Sequence, residues 1–265
     1  MLDETKISRA IIESYMDKLV DALKSDVAIA GGGPSGLTAG YYLKKMRPEL
    51  KIVLFERKLS IGGGMWGGGM MMNEIVVQKE GKKILDEFDV RTRRFEEGYF
   101  TADAIESVSA IALHTVKAGV KIFNAISVED TIIEGDTAKG LVINWTSVLD
   151  IGLHVDPLAL RADYIIDATG HPCEIAHLIE KKNKKLFTEG GGIIGEGAMH
   201  ADKGEQDILK NTKEIFPNVW VCGMAANAVF GGPRMGPIFG GMLLSGKIVA
   251  EKIIGVRLKY SSICS

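Results

Sequence analysis

Apolar residues occur in short runs, separated by stretches with helical spacing, along much of the chain. Residues 27–30 form an apolar run typical of a buried parallel strand, and residues 37–45 carry the period of a helix. A second apolar run, at 52–55, ends at Glu56. This order predicts a strand–helix–strand unit, because two parallel strands of one sheet need a crossover between them.

The same pattern continues through the rest of the chain. Residues 5–24 place apolar side chains at helical spacing, which predicts an amphipathic helix packed on the domain or on a neighbouring subunit. Further segments are interpreted as helices at 101–119 and 174–185, a long C-terminal helix, and strands at 120–123, 130–134, 138–145, 162–169 and 219–222. We expect one α/β domain over residues 1–265, with a central parallel sheet, covering helices and a smaller β-rich insertion around 124–160. This arrangement resembles the Rossmann-like fold of flavoproteins with two dinucleotide-binding domains.

Three glycines after the first strand have the spacing of a dinucleotide-binding turn. Gly31, Gly33 and Gly36 form a G-x-G-x-x-G pattern, which allows a tight turn, a pyrophosphate against the backbone and close helix–strand packing. Glu56 lies 20 positions after Gly36, where an acidic side chain accepts hydrogen bonds from the ribose hydroxyls of an adenosine. An ordinary glycine turn is the alternative for the motif alone. The order of strand, glycines, helix, strand and acid favours a dinucleotide.

Composition narrows the range of partners. The 265 residues carry a formal net charge of −2, which gives no reason to expect nucleic acid or an anionic membrane as a partner. No apolar stretch reaches the roughly 18 residues of a membrane span, so we expect a cytoplasmic protein. The three cysteines include no C-x-x-C pair, which argues against a disulfide framework and a structural zinc site.

The glycine- and methionine-rich run at 61–72 shows no period and closely follows the adenosine-reading acid. We predict that it forms a wall of the dinucleotide site. The alternative is a mobile surface loop, but an exposed run with a tryptophan and four methionines would leave much apolar surface in water.

The chemistry after the last strand separates two kinds of dinucleotide. Residues 219–222 are followed by Gly223 and Met224. In flavin-binding proteins of this architecture an aspartate at that point holds the ribityl hydroxyls. A thioether cannot replace an ionised acceptor, so Met224 favours NAD over a flavin.

Six segments carry motifs that go beyond a dinucleotide site. They are GGGPSGL (31–37), FER (55–57), the glycine–methionine loop (62–72), GLHVDP (152–157), DATGH (167–171) and GMAANAVFGGPRMGPIFGGML (223–243). Together they resemble the archaeal-type thiamine thiazole synthases. The resemblance implies a transferase-type enzyme of thiamine biosynthesis that converts NAD, glycine and free sulfide to an ADP-thiazole carboxylate and releases nicotinamide.

The resemblance also implies an iron site. Asp156 and His171 would bind Fe(II), since a carboxylate and an imidazole leave coordination positions open for substrate atoms. Taken alone, Asp156 would be a turn residue and His171 a strand-end histidine. His154 stands where fungal and plant members carry a cysteine that gives up its sulfur, so this chain is expected to use free sulfide and to turn over repeatedly. A role for His154 as base, ligand or space-filler stays open, and Cys173 is the less favoured alternative sulfur donor.

Arg234 is the candidate for the glycine carboxylate, because a guanidinium forms a bidentate pair with a carboxylate. A surface arginine beside a turn is its alternative. The resemblance implies a homo-oligomer, usually an octamer, in which residues 154–156 reach a neighbouring protomer's cofactor, so that protomers share each active site. The predicted dinucleotide contacts are Gly31, Gly33, Ser35, Gly36, Glu56, Arg57, Gly64, Val128, His154, Val155, Asp156 and Met224.

Three other functions fit parts of the pattern. A flavin oxidoreductase is disfavoured by Met224. An isomerase of ribose 1,5-bisphosphate requires a second basic phosphate site, which the sequence lacks. A sensor would bind NAD and leave it intact.

Overall fold

The computed structural model describes residues 1–263, so Cys264 and the end of the expected domain lie outside it. The strands are β1 (Lys24–Ala30), β2 (Ile52–Glu56), β3 (Glu74–Val77), β4 (Arg93–Glu96), β5 (Tyr99–Asp103), β6 (Lys121–Asn124), β7 (Ile126–Glu134), β8 (Thr137–Trp145), β9 (Leu158–Asp167), β10 (Glu214–Phe216) and β11 (Val219–Val221). The helices are α1 (Glu4–Ala22), α2 (Pro34–Met46), α3 (Lys79–Glu87), α4 (Ala104–Lys117), α5 (Thr146–Ile151), α6 (Glu174–Lys181), α7 (Ala201–Asn211), α8 (Met224–Phe230) and α9 (Gly240–Ile263), and short 3-10 helices lie at Gly63–Gly67 and Glu189–Gly191.

The central sheet is built on parallel strands in the order β11-β9-β1-β2-β6. Strand β10 adds to β11 in antiparallel orientation. The hairpin β7–β8 joins the first half of β9, also antiparallel, while the second half of β9 pairs with β11. The predicted Rossmann-like α/β fold, a parallel sheet with helices and a β-rich insertion, is confirmed.

Successive residues of the central strands enter two separate cores on opposite faces of the sheet. Val27 and Ile29 of β1 pack in one core with α2, α3, α4 and α9, while Ala28 and Ala30 pack in the other with α1, α6 and α8. All residues of β2 are buried. Because both faces of these strands are buried, their sequences are continuous apolar runs and do not alternate between apolar and polar residues.

Several boundaries differ from the sequence predictions. Strand β1 begins at Lys24 and not at residue 27, because the polar Asp26 belongs to the strand and accepts a hydrogen bond from the Lys51 amide. Strand β9 begins at Leu158, four positions before the predicted strand at 162–169. The predicted helix at 174–185 ends at Lys181, shortly before Asn183 adopts a positive φ of 56°.

A second, three-stranded sheet in the order β3-β5-β4 was not among the predicted elements. Every residue of β4 is exposed, so this strand carries no alternation of buried and exposed positions. Helix α1 buries Leu19 and Ala22 but leaves Ile11 and Val20 exposed, and its packing on a neighbouring subunit stays a prediction. Within residues 1–263 no helix has the length and apolar character required to span a membrane.

Candidate active site

A cavity of about 810 Å³ opens at the carboxyl ends of β1, β2 and β9. Ligands of open α/β sheets bind at this edge, where the loops after neighbouring strands diverge. The predicted site residues that line it are Gly31, Gly33, Ser35, Glu56, Arg57, Gly64, Val128, His171, Met224 and Arg234. Gly36, His154, Val155 and Asp156 are not among the lining residues of the single protomer.

The three motif glycines have distinct steric roles. Gly31 has a φ of +101°, and a Cβ there would overlap the carbonyl of Ala168. A Cβ on Gly36 would overlap the carbonyl of Gly31, so this position permits close packing of α2 on the turn and makes no cavity contact. A Cβ on Gly33 would meet no protein atom within 4 Å, so this glycine keeps the space above the turn open.

The start of α2 has the properties of an anion site. Gly33 is the N-cap residue and supplies no side-chain acceptor, and Pro34 occupies the first turn. The backbone N–H groups of this turn therefore lie at the cavity with the positive end of the helix dipole. Ser35, which is buried beside Gly223, adds a hydroxyl to the same wall.

Glu56 is fixed at the end of β2 by two backbone amides. Its Oε2 accepts from the Gly32 N–H and its Oε1 from the Lys58 N–H, each at 2.8 Å. Each carboxylate oxygen retains further acceptor capacity, so the group can still bind ribose hydroxyls. The neighbouring Arg57 forms a 2.6 Å ion pair with Glu174. Burial raises the pKa of the Glu174 carboxyl, and the Arg57 guanidinium opposes that change.

The DATGH motif (167–171) at the end of β9 begins with a fully buried carboxylate, which accepts four hydrogen bonds. Asp167 accepts from the Thr169 amide and hydroxyl with one oxygen, and from the Ile175 and Ala176 amides with the other, at 2.7–3.1 Å. Burial raises the pKa of Asp167, whereas these hydrogen bonds lower it. The network joins the strand end to the first turn of α6 and thereby positions the intervening His171 at the cavity.

His171 and Arg234 lie beside the same carboxylate. The Nδ1 atom of His171 is 2.5 Å from Glu196 Oε1, and Arg234 Nε is 3.8 Å from Glu196 Oε2. Glu196 was not among the site residues predicted from the sequence. The only local signal was an isolated acid within a glycine-rich run, and its partners lie 25 and 38 positions away in the chain.

Residues 154–156 lie on an exposed segment between α5 and β9. Val155 is 49% exposed, and its backbone carbonyl accepts a hydrogen bond from the side-chain Nδ2 of Asn144 at 3.3 Å. The single protomer therefore does not bring Asp156 to the cavity that His171 lines. Among the described residues, no three His, Cys, Asp or Glu side chains form a group suited to a metal ion.

The remaining predicted features surround the cavity. Gly64 and Gly69 of the glycine–methionine loop line it, and the loop is anchored by a 2.7 Å bond from the Gly62 amide to the Gly32 carbonyl. Met224 is buried in its wall. Burial raises the pKa of the Cys173 thiol to about 12, which disfavours the thiolate needed for sulfur chemistry.

The fold defines a Rossmann-like α/β protein with a glycine-lined cavity at the carboxyl edge of its sheet. A sequence profile of the Thi4 family matches residues 8–239. The chain belongs to the Thi4 family.

The chain is similar to curated relatives from archaea and bacteria over nearly its whole length. It is 59% identical over 254 residues to the thiamine thiazole synthase of Methanothermobacter thermautotrophicus, covering 96% of this chain and 98% of the relative. It is 54% identical to the enzyme of the same name from Desulfosudis oleivorans, with the same coverage. The crystal structure of Thermovibrio ammonificans THI4 superposes with a TM-score of 0.94 at 52% identity, covering 98% of this chain and all of that one.

Proposed function

We propose that the chain is a thiamine thiazole synthase that condenses NAD, glycine and free sulfide into an ADP-thiazole carboxylate and releases nicotinamide. The observation that carries the proposal is a cavity joining a nucleotide turn, an acid for the ribose, an imidazole and a guanidinium, in a chain 59% identical to a relative of that name. We also propose that the protein acts in the cytoplasm.

The ADP half of NAD would occupy the glycine turn. The pyrophosphate would lie in the open space above Gly33 at the start of α2, with Ser35 beside it. Glu56 would accept the adenosine ribose hydroxyls, and the Arg57–Glu174 pair together with Val128 would border the adenosine. The ribose that loses nicotinamide would then extend towards His171 and Arg234.

Arg234 would hold glycine through its carboxylate. The guanidinium lies at the cavity and is 57% exposed, so a small anion can reach it. Bidentate pairing would fix the amino group of glycine relative to the opened ribose, which is the orientation that a condensation needs.

His171 and Asp156 would hold an Fe(II) ion. A metal-binding histidine commonly donates a hydrogen bond from its second ring N–H to a carboxylate, and His171 Nδ1 lies at hydrogen-bond distance from Glu196. His171 would bind the ion with Asp156 of a neighbouring protomer, and the bound ion would offer open coordination positions to substrate atoms. The exposed segment 154–156 would deliver Asp156, Val155 and His154 across the subunit boundary of a homo-oligomer, which we expect to be an octamer.

Sulfur would come from free sulfide. Residue 154 is a histidine, and the Cys173 thiol is buried with a raised pKa, so neither position offers a ready sulfur donor. The protein would therefore complete many reaction cycles without consuming itself.

Anaerobic incubation of the purified protein with NAD, glycine, sulfide and Fe(II) tests the proposal. We expect one adenylated thiazole by mass spectrometry, in amounts exceeding the protein and only when all four components are present. Absence of product under strict anoxia, with iron occupancy verified, would refute it. Intact NAD would indicate a sensor, and a co-purified yellow chromophore would indicate a flavin enzyme.

Mixing two inactive variants tests the shared site. If Asp156 and His171 of one site come from different protomers, random re-assembly of D156A with H171A restores about a quarter of the sites. If both residues act within one protomer, no mixture regains activity. Each variant re-assembled alone is the matched control.

A further inference from the structure

We infer that Glu196 is a positioning residue that holds His171 as the tautomer protonated on Nδ1, with the Nε2 lone pair left for the reaction site. Glu196 makes no contact with substrate in this assignment. The purpose of the arrangement rests on the proposed function, but the hydrogen bond itself does not.

When Glu196 is ionised, the hydrogen bond between it and His171 can run only from the imidazole N–H to the carboxylate. The Nδ1–Oε1 separation is 2.5 Å, and a carboxylate only accepts hydrogen bonds. The proton of the neutral imidazole must therefore lie on Nδ1, because the hydrogen bond at one ring nitrogen sets the state of the other. His171 is 48% exposed at the cavity whereas Glu196 is 17% exposed, so Glu196 lies behind the imidazole.

The backbone around Glu196 is fixed to the segment that carries Arg234. The backbone N–H of Gly195 donates to the Ala228 carbonyl, and that of Gly197 donates to the Gly232 carbonyl. The Arg234 N–H donates to the Gly197 carbonyl, and the three bonds measure 2.9–3.3 Å. These bonds flank Glu196 on both sides. The backbone that carries Glu196 is thus held by main-chain contacts that do not involve His171.

The second oxygen of Glu196 faces a cation. Arg234 Nε lies 3.8 Å from Oε2, an ion-pair distance longer than a hydrogen bond. Because Glu196 approaches Nε, the two terminal nitrogens of the Arg234 guanidinium take no part in this ion pair. The Glu196 carboxylate therefore contacts both His171 and the arginine proposed to bind glycine.

Tautomer populations test the inference without any catalytic assay. Protein with 15N-labelled histidine reports the protonated ring nitrogen directly, and H171N identifies the His171 signals. We expect Nδ1–H in the wild type, because an ionised carboxylate only accepts, and a mixture of both forms in E196Q, whose amide can donate as well as accept. In E196A the Nε2–H form should appear, while E189A, which removes an exposed glutamate from the preceding turn, should match the wild type.

Zn²⁺, a diamagnetic probe, supplies the second readout. The metal-bound wild type should keep Nδ1–H with the ion on Nε2, and E196A should bind Zn²⁺ about 10- to 100-fold more weakly. An unchanged tautomer in E196A, or Zn²⁺ bound through Nδ1, would overturn the inference. Failure of thiazole synthesis with a normal tautomer pattern would instead reject the proposed function alone.

Discussion

A buried carboxyl on α7 should make the stability of this protein fall as the pH rises towards neutrality. Glu205 is 9% exposed, and its Oε2 accepts from the Gly241 amide at 2.7 Å and from Gln78 Nε2 at 2.6 Å. Glu205 Oε1 and Gln78 Oε1 are both buried, and neither has a hydrogen-bond partner in the described part of the chain. A proton on the carboxyl supplies a donor that an ionised carboxylate lacks.

The size and sign of the effect follow from the pKa. Burial raises the pKa of Glu205 from its ordinary 4.5 to about 7, against the opposing effect of the Gly241 and Gln78 hydrogen bonds. The folded state therefore holds the proton more tightly than the unfolded chain. Its stabilising contribution is complete below pH 4.5 and is lost as the pH rises through about 7, and the full difference corresponds to about 3 kcal/mol.

Glu205→Gln isolates this contribution, because glutamine has the shape and the neutral charge of the protonated acid. We expect E205Q to match the wild type within about 1 kcal/mol at pH 5 and to exceed it by about 3 kcal/mol at pH 8. Denaturant unfolding followed by circular dichroism at a series of pH values measures the difference. Subtracting the two profiles removes the contributions of all other titrating groups.

The exposed Glu97 provides the control, and E97Q should leave the pH profile unchanged. Parallel profiles for E205Q and the wild type would show that folding does not change the pKa of Glu205, and would refute the expected effect of burial. A lower stability of E205Q at pH 8 would refute it equally.

Substitutions in the glycine turn, in the Asp167 network and at Arg234 should have separable effects. Gly33→Ala should keep the melting temperature and weaken ADP-ribose binding at least about 10-fold in calorimetry, whereas Gly36→Ala should lose about 1–3 kcal/mol of stability through overlap with the turn. Asp167→Asn should cost about 2–4 kcal/mol in denaturant unfolding, because an amide group would face N–H donors that now bind a carboxylate. Arg234→Ala should raise the KM for glycine about 10- to 100-fold in the anaerobic assay with little change in melting temperature. Arg91→Ala, which removes an exposed ion pair, should change neither quantity.

Sequence pattern alone determined the parts of this protein that depend on neighbouring residues in the chain. The apolar runs of β1 and β2 predicted a doubly covered parallel sheet, because strands buried on both faces cannot alternate. The glycine spacing predicted the tight turn between β1 and α2, since backbone sterics at Gly31 and Gly36 act over a few residues. The exposed strand β4 gave no such signal.

Tertiary structure alone decided which side chains meet across the sheet edge. Glu196 contacts His171 because separate segments converge after β9 and before α9, and no periodicity encodes that approach. Glu205 and Gln78 lie 127 positions apart and meet only where α7, the start of α3 and the start of α9 pack together. Local spacing reports backbone geometry and burial, whereas the orientation of a charged group depends on the packing of distant elements.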